Sequence, residues 1–168
     1  MIRIFSAFAF LFAAFAMPAA AQAPSTLVLE TSKGPVTTKL RTDLAPKHAA
    51  QLAKLARSGF YDGVVFHRVI EGFMAQTGDP TGTGTGGSNE PDLKAEFSSE
   101  PFVRGTVGMA RSSSPNSANS QFFIMFGDGA FLNGKYTVVG QVVSGMENVD
   151  KIKRGEPPAN PDKIIKAT

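Results

Sequence analysis

The chain has no cysteine, which excludes both a disulfide framework and a lipid-bearing N-terminal cysteine. Its two histidines, His48 and His67, have no His-x-x-x-His spacing, no cysteine partners and no facial carboxylate set, and this argues against a metal site. Serine is plentiful, but no G-x-S-x-G occurs, so a serine hydrolase would lack its nucleophile turn. No apolar run reaches the ~20 residues a membrane span needs. Charge of one sign is also scarce: 17 basic residues face 14 acidic ones, too small an excess to argue for nucleic acid.

What is present begins with the opening segment MIRIFSAFAFLFAAFAMPAAAQA. Arg3 precedes an apolar stretch from Ile4 to Met17, then come helix-breaking Pro18 and the small residues Ala19 and Ala21. This is the pattern of a secretory signal. Cleavage is expected after Ala21, because cutting after Ala23 would leave Pro24 at the new N-terminus. The division is therefore a signal peptide over 1–21 and one domain over 22–168, exported to a periplasm or secreted, with no stable membrane insertion after cleavage. At 168 residues and 42% hydrophobic content the chain has enough apolar material for a single core.

Along the domain, Thr26–Thr31 and 35–41 read as strands joined at Ser32-Lys33-Gly34. Pro46 suits a first helical turn, and Ala49, Leu52, Ala53 and Ala56 recur at helical spacing until Gly59. Further strands are expected at 64–70, 73–77, 106–111, 121–125 and 137–143, with a closing strand at 163–167. Ser144 and Glu147 suggest a capping box for a short second helix whose face is Met146, Val149 and Ile152. The stretches 81–88 and 112–120 read as long surface loops. Gly82, Gly84 and Gly87 satisfy G-x-G-x-x-G literally, yet no apolar strand feeds in and no helix opens behind, so a phosphate cradle is not supported.

The distinctive segment is FHRVIEGFMAQTGD at 66–79, one arginine among apolar residues and a glutamine without an acid or base partner. With NSQFF at 119–123 it suggests chemistry without proton transfer. His67 reads as a packed or hydrogen-bonded structural residue. These blocks, together with GTVGMARSSSPNSANSQFFI and FLNGKYTVVGQV, resemble the cyclophilin family of peptidyl-prolyl cis-trans isomerases over nearly all of the mature chain. The resemblance implies a closed eight-stranded antiparallel β-barrel capped by two α-helices, acting on proline-containing unfolded or flexible polypeptides without a cofactor. It also implies roles by position. Arg68 matches the catalytic arginine, with Phe73, Met74 and Gln76 beside it; Ala110 and Arg111 hold the peptide through backbone groups; Gln121, Phe123, Phe131, Leu132 and Tyr136 complete the pocket.

Rotation about an X-Pro bond breaks amide resonance, so the proline nitrogen regains a lone pair and the amide becomes less dipolar. An apolar pocket from Phe73, Met74, Phe123 and Leu132 favours that twisted state, and the Arg68 guanidinium can donate to the nitrogen. Gln76 is expected to orient Arg68. Phe131 stands where many members of the family carry tryptophan, which removes an indole donor and implies weak cyclosporin binding. Tyr136 replaces a common histidine and Arg111 a common asparagine. Arg111 is either a solvated side chain or a charge that favours acidic residues near the proline. A non-catalytic module or holdase that grips Pro-containing segments is the competing reading. If the opening segment is a signal, protein recovered after export should begin at Gln22 by N-terminal sequencing; an intact Met1 would refute cleavage.

Overall fold

Short strands with a two-residue alternation of buried and exposed positions build most of the domain. In the computed structural model, which describes residues 25–168, β1 (Thr26–Thr31) and β2 (Gly34–Leu40) form the expected hairpin. The expected signal segment and its expected cleavage sites lie outside the described residues. Then follow α1 (Pro46–Arg57), β3 (Arg68–Ile70), β4 (Met74–Thr77), β5 (Thr106–Met109), β6 (Phe122–Met125), β7 (Val138–Ser144), α2 (Met146–Val149) and β8 (Ile164–Ala167). A 3-10 turn at Ala130–Leu132 precedes β7. Among the described residues no helix is long and apolar enough to cross a membrane.

All pairings are antiparallel, in the order β3-β4-β6-β5-β7-β2-β1-β8. The sheet curls into a half-barrel but its ladder stays open between β3 and β8, which corrects the expected closed barrel. The expected strand at 64–70 is regular only from Arg68. Across the seam there is an isolated Val65–Lys163 bridge and a Phe66 N–H bond to the Asp162 carbonyl at 2.8 Å. The segment after α2 also bridges β3 at Val69–Gly155. An edge strand needs cover for its backbone groups, and irregular chain supplies it here.

Alternation divides the side chains between two apolar clusters. Leu27, Leu29, Val36, Phe66, Val69, Ala75, Val107 and Ile124 point to one face and pack with Ala49, Leu52, Ala53 and Ala56 of α1. Met74, Phe102, Phe123, Met125, Leu132 and Val138 form a second cluster. Gly108 separates two aromatic rings: a Cβ there would stand 2.5 Å from Phe123 Cζ and 2.6 Å from Phe102 Cε1.

The helix starts depend on distant residues. No side chain of its own caps α1; instead Glu96 accepts from the Lys47 and His48 backbone N–H groups at 3.2 Å each, and pairs with buried His48 Nδ1 at 2.6 Å. Burial raises the Glu96 pKa, but bonds from His48 and Lys47 outweigh it and hold the carboxyl below its ordinary value. The Ser144–Glu147 capping box is not formed. Ser144, the last residue of β7, pairs with Thr37 of β2, and Gly145 at φ 87° is the α2 cap, packed close under the Pro35 carbonyl. A β-carbon would collide there, so the chain turns at Gly145 and Ser144 stays in the strand. Glu96→Ala should lower stability by about 1 to 3 kcal/mol, read as a reduced denaturation midpoint at unchanged m-value; an unchanged midpoint would refute the cap.

Candidate active site

Strand register brings the distinctive residues into one row. Arg68 in β3 lies opposite Gln76 in β4, Gln76 opposite Phe123 in β6, and Phe123 opposite Gly108 in β5. The neighbouring row, Val69, Ala75, Ile124 and Val107, faces the main core. Successive residues point to opposite faces, so one arginine, one glutamine and one phenylalanine stand side by side on the face away from α1. Met74 belongs to the next row, opposite Met125.

These residues line a hollow of about 130 Å³ with Phe73, Ala110, Arg111, Leu132 and Tyr136. Of the eleven residues expected at the site, only Gln121 and Phe131 are outside its wall. Phe123 forms its floor, stacked on Phe102 at 5.9 Å between centroids and edge-on to Tyr136 at 6.1 Å. Phe131 is 63% exposed and leans on Phe73 at 5.4 Å, a rim position. Tyr136 also carries the Arg111 guanidinium, 4.5 Å from its ring centroid. Arg111 donates to the Lys135 and Ser112 carbonyls as well, so its charge is tethered at the rim. Past the end of β5, the Ala110 N–H bonds the Gln121 carbonyl at 3.0 Å.

Two expectations about polar residues change. Arg68 is half-exposed, and its hydrogen bond runs from Nε to Glu156 Oε1 at 3.0 Å. Gln76 does not bond Arg68: its Nε2 donates to Gln121 Oε1 at 2.9 Å. The orientation follows from the next bonds outward. Gln121 Nε2 donates to the Gly84 and Gly86 carbonyls at 3.0 and 2.9 Å, which uses both amide hydrogens and turns Oε1 toward Gln76. Gln76 must answer with its amide nitrogen, leaving Oε1 as the acceptor in the row with Arg68. Gln121 thus contributes by fixing an amide and by walling a neighbouring hollow of about 580 Å³ shared with Gln76, Ala110 and Arg111.

The loop that receives Gln121 is folded around an acid. Asp79, fully buried, accepts from the backbone N–H groups of Thr81, Thr83, Gly84 and Gly86 and from the Thr81 hydroxyl. Desolvation pushes its pKa up, but the bonds from Thr81, Gly86 and Gly84 prevail and hold it at about 2. The glycine-rich stretch is therefore an inward-facing loop and not a phosphate cradle. Asn119 fastens the serine-rich loop to it, its Oδ1 accepting from the Ser88 N–H at 2.9 Å and its Nδ2 donating to the Glu90 carbonyl at 2.9 Å. His67 is packed beneath Gly84, with neither ring nitrogen hydrogen-bonded among the described residues, and burial keeps its pKa below the ordinary value. Among the described residues no group of three His, Cys, Asp or Glu could hold a metal.

Phe102 and Glu156 were not foreseen at the site. The Phe102 position is prefigured only by Gly108, whose missing side chain leaves room for two rings; nothing local marks Glu156, 88 residues from Arg68.

A curled antiparallel sheet with an arginine-edged apolar hollow on its outer face defines a cyclophilin-like fold. The family model for cyclophilin type peptidyl-prolyl cis-trans isomerases matches residues 26–168, and the chain belongs to that family. It is 64% identical over 165 residues to a probable peptidyl-prolyl cis-trans isomerase of Brucella suis, covering 89% of this chain and 84% of that one. Identity is 41% to a peptidyl-prolyl cis-trans isomerase-like 1 of Aspergillus fumigatus, over 84% of this chain and 92% of that one. Among solved structures, a Hirschia baltica cyclophilin superposes at TM-score 0.80 with 29% identity, over 88% of this chain and 74% of that one. A cyclophilin-type isomerase of Cryptosporidium parvum, crystallised in the presence of the dipeptide Ala-Pro, superposes at 0.79 with 30% identity, over 85% and 97%. The chain is thus a cyclophilin-type isomerase, of an enzyme class that needs no cofactor.

Because the Asp79 pKa is lowered in the folded state, its stabilisation is complete above the ordinary 3.8 and is lost as pH falls through about 2. Asp79→Asn should remove that acid-range loss and reduce stability at neutral pH by about 1 to 3 kcal/mol, measured by denaturation at a series of pH values. A variant with wild-type pH dependence would refute the caged carboxylate.

Proposed function

We propose that Arg68, Phe73 and Gln76 carry the isomerisation of X-Pro bonds in unfolded or flexible exported polypeptides, and that Met74, Ala110, Arg111, Gln121, Phe123, Phe131, Leu132 and Tyr136 bind the peptide. The observation that carries this reading is the row of Arg68, Gln76 and Phe123 across three strands. The hollow of about 130 Å³ suits one proline ring on the Phe123 floor between Met74 and Leu132. The terminal guanidinium nitrogens of Arg68 have no hydrogen-bond partner among the described residues and can meet the proline nitrogen as its lone pair appears. Gln76 Oε1 offers an acceptor to the peptide backbone, and a proline-containing substrate is in keeping with the Cryptosporidium parvum protein having been crystallised in the presence of the dipeptide Ala-Pro.

The barrier to rotation is about 18 to 20 kcal/mol and the uncatalysed step takes roughly tens to hundreds of seconds. A hydrogen bond from a charged donor contributes about 1.5 to 3 kcal/mol, or about one to two decades of rate. Apolar surroundings and backbone positioning supply the rest. Export rests on the signal pattern of 1–21, and weak cyclosporin binding rests on Phe131, a rim residue that carries no indole donor.

Arg68→Ala should reduce kcat/KM on a chromogenic X-Pro peptide by about tenfold or more, and Arg68→Lys should recover little, because a single ammonium cannot hold a second residue and donate in a plane. The wild-type rate should be flat around neutral pH, since no acid or base changes protonation in the reaction. Full activity of Arg68→Ala, or a rate following a histidine-like titration, would overturn the assignment.

A further inference from the structure

The Arg68 side chain is long, half-exposed and unsupported by Gln76, yet it has one fixed partner. Glu156 Oε1 accepts from Arg68 Nε at 3.0 Å, and this is the arginine's sole side-chain hydrogen bond among the described residues. The contact is built from backbone. Val69, the residue after Arg68, exchanges two hydrogen bonds with Gly155, the residue before Glu156: Val69 N–H to the Gly155 carbonyl at 2.9 Å and Gly155 N–H to the Val69 carbonyl at 2.8 Å. That bridge fixes the offset between the two side chains. Gly155 has φ 149°, and a Cβ there would lie 2.5 Å from Pro158 Cα, so the close turn of Gly155-Glu156-Pro157-Pro158 requires glycine.

Resting on the catalytic reading of Arg68, we propose that Glu156 is a positioning residue for catalysis: its carboxylate anchors Arg68 through Nε and so leaves both terminal nitrogens aimed into the hollow. The guanidinium is a planar fork. Holding Nε from one side sets the plane and leaves the far nitrogens as donors. Without an anchor, the side chain must be immobilised each time a peptide reacts, and that ordering is charged against the barrier. Glu156 touches neither the floor nor the wall of the hollow, so it acts through Arg68 alone.

The test uses the mature chain with Glu156→Ala, Glu156→Gln and Arg68→Ala, a chromogenic X-Pro peptide, and the Arg68 Nε–H resonance of 15N-labelled protein, assigned by its loss in Arg68→Ala. Glu156→Ala should lower kcat by about threefold to fivefold at unchanged KM, the range open to an exposed ion pair. Its Arg68 resonance should shift and broaden. Glu156→Gln keeps an acceptor on an isosteric side chain and should recover most of the rate and the resonance position, which a loss of fold would not allow. An unchanged kcat in Glu156→Ala beside an inactive Arg68→Ala overturns the proposal alone, as does a faster Glu156→Ala, or equal losses in both Glu156 variants with the Arg68 resonance in place. If Arg68→Ala retains full activity, the catalytic reading itself fails.

Discussion

Everything at the site depends on one geometrical constraint: four short adjacent strands, β3, β4, β6 and β5, must serve the main core with one face and line the hollow with the other. A strand turns successive side chains to opposite sides, so each of these strands contributes to the main core and to the groove at once. Val69, Ala75, Ile124 and Val107 face inward, whereas Arg68, Gln76, Phe123 and Gly108 form the outward row. A slip of one residue would bury the arginine and expose the core. The same register that stabilises the fold therefore sets the positions of the proposed reacting groups, and Gly108 admits the Phe102 and Phe123 rings that make the floor.

Apolar packing gives the groove its shape but not its polar orientation. That comes from residues held at a distance. The Gly84 and Gly86 carbonyls spend the hydrogens of Gln121, which obliges Gln76 to present its oxygen; Asp79, in turn, organises the loop that carries those carbonyls. On the opposite side Glu156 holds Arg68. The two polar groups of the row are thus fixed independently, from two different loops. Since one hydrogen bond accounts for only a small part of the barrier to amide rotation, the desolvating floor and the fixed orientation of its polar edge matter together.

Much was legible in the residues themselves. The β1–β2 hairpin was announced by β-branched runs around a glycine turn, and α1 by Pro46 and its small apolar face; both signals are local and both formed. Nine of the eleven expected site residues share one hollow; strand alternation places Arg68, Met74, Gln76 and Phe123 there, and the other five stand on the turns and loops that flank these strands. The failures have a common physical cause. The Ser144 cap was a local pattern overruled by the close approach of Pro35, which leaves room only for glycine at the cap, the closed barrel by irregular chain along the β3 edge, and the Gln76–Arg68 contact by other partners for each side chain.

By itself, then, the sequence determined the two-faced strands, the main helix, the presence of one arginine among apolar residues and the family to which these belong, since each is written in spacing over a few residues. Only the tertiary structure decided what Arg68 and Gln76 bond to, which loop encloses Asp79, how α1 is capped by Glu96 and where the sheet stays open. The reason is the range of the interaction. Side-chain direction along a strand is fixed by neighbouring peptide units, whereas a hydrogen bond between residues 45 or 88 positions apart, as at Gln76–Gln121 and Arg68–Glu156, exists only after the chain between them has folded.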